Sequence, residues 1–102
     1  MKGLNDLLKQ AQQLQEQVKH AQEDIARQEV QGEAGGGLVR VTMTGRHDVR
    51  RVHIEPSLLA EDREVIEDLV AAAVNDALRK ARELLTQEVS RLAGGLNLPG
   101  LF

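Results

Sequence analysis

Residues 35–55 read GGGLVRVTMTGRHDVRRVHIE, and this stretch decides the fold. From Leu38 to Thr44 apolar residues alternate with polar ones, which is the pattern of a strand with one buried face. The same alternation resumes after a polar turn that begins at Gly45, and the three glycines at the start of the stretch permit a tight turn with positive φ. The pattern therefore predicts an antiparallel meander, with strands over about 29–34, 38–44 and 49–55.

The sequence before this stretch predicts a long helix over about 4–28, because its apolar residues are spaced alternately three and four apart. These residues are Leu4, Leu7, Ala11, Leu14, Val18, Ala21 and Ile25. So narrow a seam fits one partner helix, which is either the second helix of this chain or a helix of another subunit.

The sequence after the stretch predicts a single turn at 57–59 and a second long helix over about 62–93, with Asp62 as its N-cap. The apolar stripe of this helix is broad enough to cover a sheet. A short apolar tail, 94–102, follows. The expected fold class is α+β: a long N-terminal helix, a short antiparallel β-meander and a long C-terminal helix.

Composition limits the classes of protein to consider. A chain of 102 residues is the size of one domain, so we expect a single domain over 1–102. The only aromatic residue is one Phe and there is no Cys, which excludes stacking of aromatic side chains on unpaired bases and thiol chemistry. Neither a membrane-spanning run nor a signal peptide is recognisable, so we expect a cytoplasmic protein.

The residues that could carry chemistry lack the spacing of a recognisable catalytic or metal-binding motif. His20, His47 and His53 have no metal-ligand spacing, and no Lys-Ser or Lys-Thr pair follows the glycine run as it does in a phosphate-binding loop. Neither serine has a recognisable His and Asp arrangement around it. We therefore expect no enzymatic activity, no metal and no cofactor.

Basic residues form three candidate binding surfaces. They are Lys2, Lys9, Lys19 and Arg27 on the first helix, Arg79, Lys80 and Arg82 on the second, and Arg46, Arg50 and Arg51 near the second turn. Since the net charge is −3, each surface also matches an ordinary solvated face balanced by acids. The i,i+4 spacings Asp76–Lys80 and Arg79–Glu83 predict ion pairs that neutralise part of the second surface.

Four stretches together resemble the YbaB/EbfC family of bacterial nucleoid-associated proteins. They are LKQAQQLQ at 8–15, GGGLVRVTMTG at 35–45, RVHIEPSLL at 51–59 and EDLVAAAVNDA at 67–77. The resemblance covers almost the whole chain without a large insertion. It departs from the family only in a short start at Lys2-Gly3 and a clipped tail. Asn75 and Asp76 match the family pattern, and helix packing is the only role that the sequence suggests for them.

The resemblance implies a homodimer formed largely through the sheet region, with helices that project like the arms of tweezers and bind duplex DNA on the nucleoid. We expect the dimer interface at Leu38–Thr44 and Val49–Glu55. The DNA-binding residues predicted on the helical arms are Lys2, Lys9, Lys19, Arg79, Lys80, Arg82 and Arg91, with Arg46, Arg50 and Arg51 as the second choice.

A different class of protein has a similar layout. Two long helices joined by β-hairpins are also found in prefoldin-like chaperone subunits, so a helical interaction module or holdase that does not bind DNA is the alternative. A gel shift with duplex DNA tests the first hypothesis, and suppression of a client's aggregation tests the second.

Overall fold

A computed structural model describes residues 2–95, with the side chains of residues 3–94. The elements in chain order are α1 Lys2–Arg27, β1 Glu29–Ala34, β2 Val39–Thr44, β3 Val49–Ile54, a 3-10 helix Pro56–Ala60 and α2 Arg63–Gly95. The predicted α+β class is confirmed. The helices begin and end within two residues of the predicted positions, which is the usual uncertainty of helix ends. Most of the predicted tail, from residue 96 onward, lies outside the described residues.

The three strands form one antiparallel sheet in the order β1-β2-β3. Gly35, Gly36 and Gly37 have φ values of 66°, 68° and 96°, so the turn between β1 and β2 uses the conformation that glycine tolerates best. A β-bulge shifts the register between β2 and β3 at Thr42 and Met43. The shift lies next to the second turn, so it belongs to the same local distortion of the sheet.

The core lies where α2 crosses β1 and β2. Ala73, Ala77 and Ala81, spaced four apart on α2, are fully buried against Val39, Val41 and Met43 of β2. Because alanine is small, the helix axis comes close to the strands. The closest approach is at Gly32 of β1, where a Cβ atom would overlap main-chain atoms of Ala73 and Ala77.

Asp62 is the N-cap residue of α2. Its main-chain carbonyl accepts the N–H groups of Val65 at 3.0 Å and Ile66 at 3.3 Å, so it closes the first helical turn from the N-cap position. Just before it, the 3-10 helix buries Leu58 in the core, which fixes the chain as it passes from β3 to α2.

The two halves of α1 have different surroundings. Near its C-terminal end Ile25 is 7% exposed, and Val18, Ala21 and Ile25 line a groove together with Leu85 and Leu92 of α2. In the N-terminal half, the apolar side chains are between 40% and 63% exposed: Leu4, Leu7, Leu8 and Leu14. Within one chain, therefore, the predicted seam packs on the chain's own second helix over its C-terminal half only.

The protein is elongated. The Cα radius of gyration is 19.9 Å, whereas a compact domain of about 100 residues has a value of about 13 Å. The long helices account for this shape, and they leave apolar surface on α1 and on β3 that one chain does not cover. No helix in the described range is both long and apolar enough to cross a lipid bilayer.

Candidate nucleic-acid interface

Asp76 is the centre of a polar cluster where α2 meets β1. Its Oδ2 accepts the main-chain N–H of Glu33 at 2.9 Å and lies 3.4 Å from Nζ of Lys80, and its Oδ1 accepts a hydrogen bond from Nη2 of Arg79 at 2.7 Å. The hydrogen bond from Glu33, followed by that from Arg79, lowers the pKa of the Asp76 carboxyl to about 2. The residue to which sequence reasoning gave no definite role therefore joins the helix to an edge strand.

Lys80 completes this connection on the same strand. Its Nζ donates a hydrogen bond to the main-chain oxygen of Gln31 at 2.7 Å. An edge strand presents unpaired N–H and C=O groups outward, where another strand can pair with them. Asp76 and Lys80 occupy two of these groups on β1, so α2 obstructs the β1 edge of the sheet.

Besides Lys80, two of the cations predicted to bind DNA from α2 form ion pairs, Arg79 and Arg91. Arg79 contacts Glu83 at 2.8 Å in addition to Asp76, and the hydrogen bond to Asp76 is the main reason that the pKa of Arg79 is raised. Arg91 pairs with Glu88 one turn earlier. The predicted pairs Asp76–Lys80 and Arg79–Glu83 are both present, and they neutralise much of the positive charge on this part of α2.

The remaining residues of the predicted DNA-binding set make fewer contacts within the protein. Lys9, Lys19 and Arg82 are exposed, and none of them forms an ion pair with a side chain in the range 3–94. The side chain of Lys2 lies outside the described residues. The structure thus separates the predicted set into cations that pair with carboxylates and cations that have no ion pair in the described range.

The turn between β2 and β3 and the first residues of β3 carry further cations that face solvent. Arg46, Arg50 and Arg51 are all exposed and have no ion-pair partner within the described part of the chain. The turn itself is well fixed, because Oγ1 of the buried Thr44 accepts the N–H groups of Arg46 at 3.3 Å and Asp48 at 3.2 Å. His47 has a φ of 70°, in the left-handed region that a tight turn requires.

A groove brings this turn together with α1. Lys19 and Arg46 both line it, beside the apolar side chains of Ile25 and Leu85. Glu23 lines the same groove and lies 3.7 Å from His20. Lys19 and Arg46 are 27 positions apart in sequence, so only the folded structure reveals that they share a surface.

A third polar group lies beyond the end of β3. Glu55 accepts hydrogen bonds from Arg40 at 3.1 Å and from the His53 ring at 3.1 Å, and the His53 contact is the main reason that the pKa of Glu55 is lowered. Arg40 and His53 are cross-strand partners. Sequence reasoning missed this group, although the pairing of the two predicted strands would have placed them opposite each other.

The grooves on the described surface are open rather than enclosed, and one of them is lined by His20, Asp24, Glu88 and Arg91. Among residues 3–94, no three His, Cys, Asp or Glu side chains are grouped so that they could hold a metal ion. The features that stand out are exposed cations on two helices and one turn. Such an arrangement is suited to holding an extended anion by contacts to its phosphate groups.

The fold defines a class: a small α+β domain of two long helices and a three-stranded antiparallel sheet, here with exposed basic side chains on both helices and near the β2–β3 turn. The chain belongs to the YbaB/EbfC DNA-binding family, whose sequence model matches residues 1–96. This is a family of nucleoid-associated DNA-binding proteins, which confirms the predicted family.

A solved structure supports the fold. The crystal structure of an uncharacterised Helicobacter pylori protein is similar, with a TM-score of 0.73, and the match covers 85% of this chain and 92% of that chain. The two sequences are 21% identical, so the similarity describes the shared architecture of two long helices and a three-stranded sheet.

Proposed function

We propose that this protein binds duplex DNA as a homodimer with little sequence preference, and that it contributes to chromosome organisation and gene expression on the nucleoid in the cytoplasm. The observation that carries this proposal is the family match over residues 1–96. The protein acts in this proposal without an enzymatic step, a metal or a cofactor.

The sheet supports a dimer formed through β2 and β3. The β1 edge is obstructed by Asp76 and Lys80, whereas β3 is the other edge of the sheet. On β3, Val49 and Val52 lie opposite Met43 and Val41, on the side that α2 covers over the other strands, yet they are 47% and 44% exposed. A second copy that packs there would bury this apolar surface, as the small size of one chain favours.

Low sequence specificity follows from the side chains available. The exposed cations are suited to phosphate contacts, which position a duplex without reading its sequence. The proposed contacts come from the set Lys2, Lys9, Lys19, Arg79, Lys80, Arg82 and Arg91. Of these, Lys9, Lys19 and Arg82 have the strongest support, because Arg79, Lys80 and Arg91 already contact carboxylates.

The test is titration of labelled duplexes of unrelated sequence at several salt concentrations. With about four to six phosphates contacted, affinity should fall about a hundred-fold or more between 50 and 200 mM salt, equally for each sequence. Sedimentation equilibrium should show a dimer at micromolar concentration. Absence of binding at low salt, or an affinity indifferent to salt, would contradict the proposal.

One observation favours the holdase alternative. The exposed leucines in the N-terminal half of α1 form an apolar stripe of the kind that binds unfolded clients. A holdase would suppress aggregation of a denatured client and would give no salt-dependent gel shift. Measuring both activities on one preparation separates the two functions.

A further inference from the structure

The N-terminal half of α1 carries four exposed leucines on one face of the helix. They are Leu4, Leu7, Leu8 and Leu14, here called the leucine stripe, and they are between 40% and 63% exposed. Toward the other end of α1, Ile25 is buried and the same face lines a groove with α2. The stripe is therefore the part of this face that α2, described as far as Gly95, leaves uncovered.

The stripe begins level with the end of the described part of α2, because the two helices run antiparallel. Ile25 lines a groove with Leu85, whereas Gln17, earlier in α1, lines a groove with Leu92, later in α2. Both helices rise by the same distance per residue, so the position opposite Leu14 lies about three residues beyond Leu92. The chain that follows α2 therefore leaves the helix beside the first leucine of the stripe.

That chain is residues 96–102, which lie outside the described residues and are here called segment 96–102. The segment reads LNLPGLF, so four of its seven residues are Leu or Phe and none is charged. Packing it on an apolar face would remove apolar surface from water on both sides without desolvating a charged side chain.

The segment is long enough to cover the whole stripe. Leu14 and Leu4 are ten residues apart in a helix, which is about 15 Å along the axis. Seven extended residues span up to about 23 Å. The covalent link also gives the segment an effective concentration of about a millimolar at the stripe, far above that of a second copy in a micromolar solution. These two arguments favour the chain's own segment as the occupant.

We propose that segment 96–102 packs on the leucine stripe of its own chain and covers it. This inference goes beyond the proposed function, because the contact is apolar and needs no DNA. The segment then occupies the surface that an unfolded client or another copy of the protein would otherwise contact. A holdase activity of this chain would require the segment to be displaced.

The experiment uses disulfide cross-linking in the full chain, whose sequence contains no Cys, so that introduced cysteines are the only thiols. Leu8→Cys/Leu98→Cys places one thiol on the stripe and one in the segment. Gln13→Cys/Leu98→Cys is the matched control, because Gln13 is exposed and lies on the opposite side of α1. Both variants are oxidised in a glutathione buffer, and non-reducing electrophoresis with mass spectrometry of peptides locates the bonds.

We expect the stripe pair to form an intramolecular disulfide about ten-fold or more faster than the control pair, at a rate that does not depend on protein concentration. An equimolar mixture of the single variants Leu8→Cys and Leu98→Cys should give little cross-linked product, because each segment stays on its own chain.

A second measurement needs no cysteine. Leu98→Asn/Leu101→Asn/Phe102→Asn keeps the length of the segment and removes most of its apolar groups. Amide hydrogen exchange in residues 4–14 should become about five-fold or more faster in this variant, while exchange in β2 stays unchanged.

Three results would overturn the proposal. Equal disulfide rates in the two double variants would show that the segment does not prefer the stripe. Rapid cross-linking in the mixture of single variants would show that the segment reaches another copy instead. Unchanged exchange in the asparagine variant would show that the segment leaves the stripe uncovered.

Discussion

The cations of α2 and those of the β2–β3 turn look equivalent in the sequence and differ in the structure. Each region has three basic residues within six positions, with acids nearby. On α2, Arg79 and Lys80 pair with Asp76, which accepts a hydrogen bond from β1, and of the three cations only Arg82 lacks an ion pair in the described part of the chain. Around the turn, all three arginines are exposed without such partners in that same part. Charge counted along a chain therefore does not measure the charge available to a ligand.

The contrast also separates stability from binding. Substitutions at the junction of α2 and β1 should act on the free energy of unfolding, whereas substitutions at the turn should act on DNA affinity. The predictions below test the first half of this division, and the salt-dependent DNA titrations test the second.

The largest effect is expected at Gly32, where α2 lies against β1. A valine Cβ there would overlap main-chain atoms of Ala73 and Ala77 and lie within 2.7 Å of the Ala77 side chain. Main-chain atoms cannot rotate away, so the helix must move off the sheet. We expect Gly32→Val to lower the free energy of unfolding by about 3 kcal/mol or more, measured by urea denaturation.

Gly3→Val is the matched control for this change, because no atom lies within 4 Å of a Cβ at Gly3. Its free energy of unfolding should stay within about 0.5 kcal/mol of the parent value. Equal stability of the two variants would show that α2 does not pack closely on β1.

A smaller effect, with a defined pH dependence, is expected at Asp76. The folded protein holds its pKa near 2, below the value of about 3.9 for an unperturbed aspartate. The ionised carboxylate therefore stabilises the fold above pH 4, and this contribution is lost as the pH falls from about 4 to 2. Asp76→Asn should lower Tm at pH 7, and the difference from the parent should shrink over that interval.

The control is Asp68→Asn, an exposed carboxylate on α2 that forms no ion pair with a described side chain. It should leave Tm at pH 7 nearly unchanged. A difference between Asp76→Asn and the parent that persisted undiminished at pH 2 would mean that the ionised carboxylate is not the stabilising group.

Much of the fold was predictable from the sequence because its patterns are local. The alternation of apolar and polar residues predicted the strands, and the glycine run predicted the first turn. The spacing of apolar residues three and four apart predicted α1. The partner of α1 was not predictable, since the same spacing continues from Ile25, which is buried, to Leu7, which is 63% exposed. Periodicity identifies an apolar face, but it does not show how much of that face another helix covers.

The candidate site was less predictable, because it depends on contacts between distant parts of the chain. The i,i+4 spacing did predict that Lys80 and Arg79 would be partly neutralised. It did not predict the hydrogen bonds from Glu33 to Asp76 and from Lys80 to Gln31, which span 43 and 49 residues. Gly32 was predicted only as part of the first strand, although a glycine within a strand often marks close approach of another backbone.

The smallest expected effects concern two cations of α2, one that contacts β1 and one that does not. Lys80 donates a hydrogen bond to the main-chain oxygen of Gln31, whereas Arg82, two residues later, is exposed and lacks an ion pair within the described residues. Lys80→Met keeps the aliphatic stem and removes the donor, so it should lower the free energy of unfolding by about 0.5 to 1 kcal/mol. Arg82→Met removes the same charge without an internal contact, and its change should be within about 0.5 kcal/mol. Urea denaturation of both variants in 0.2 M salt, where surface charges are screened, measures the difference. If the two variants are equally stable, the bond to the β1 edge contributes nothing, and the distinction between structural and available cations on α2 fails at this position.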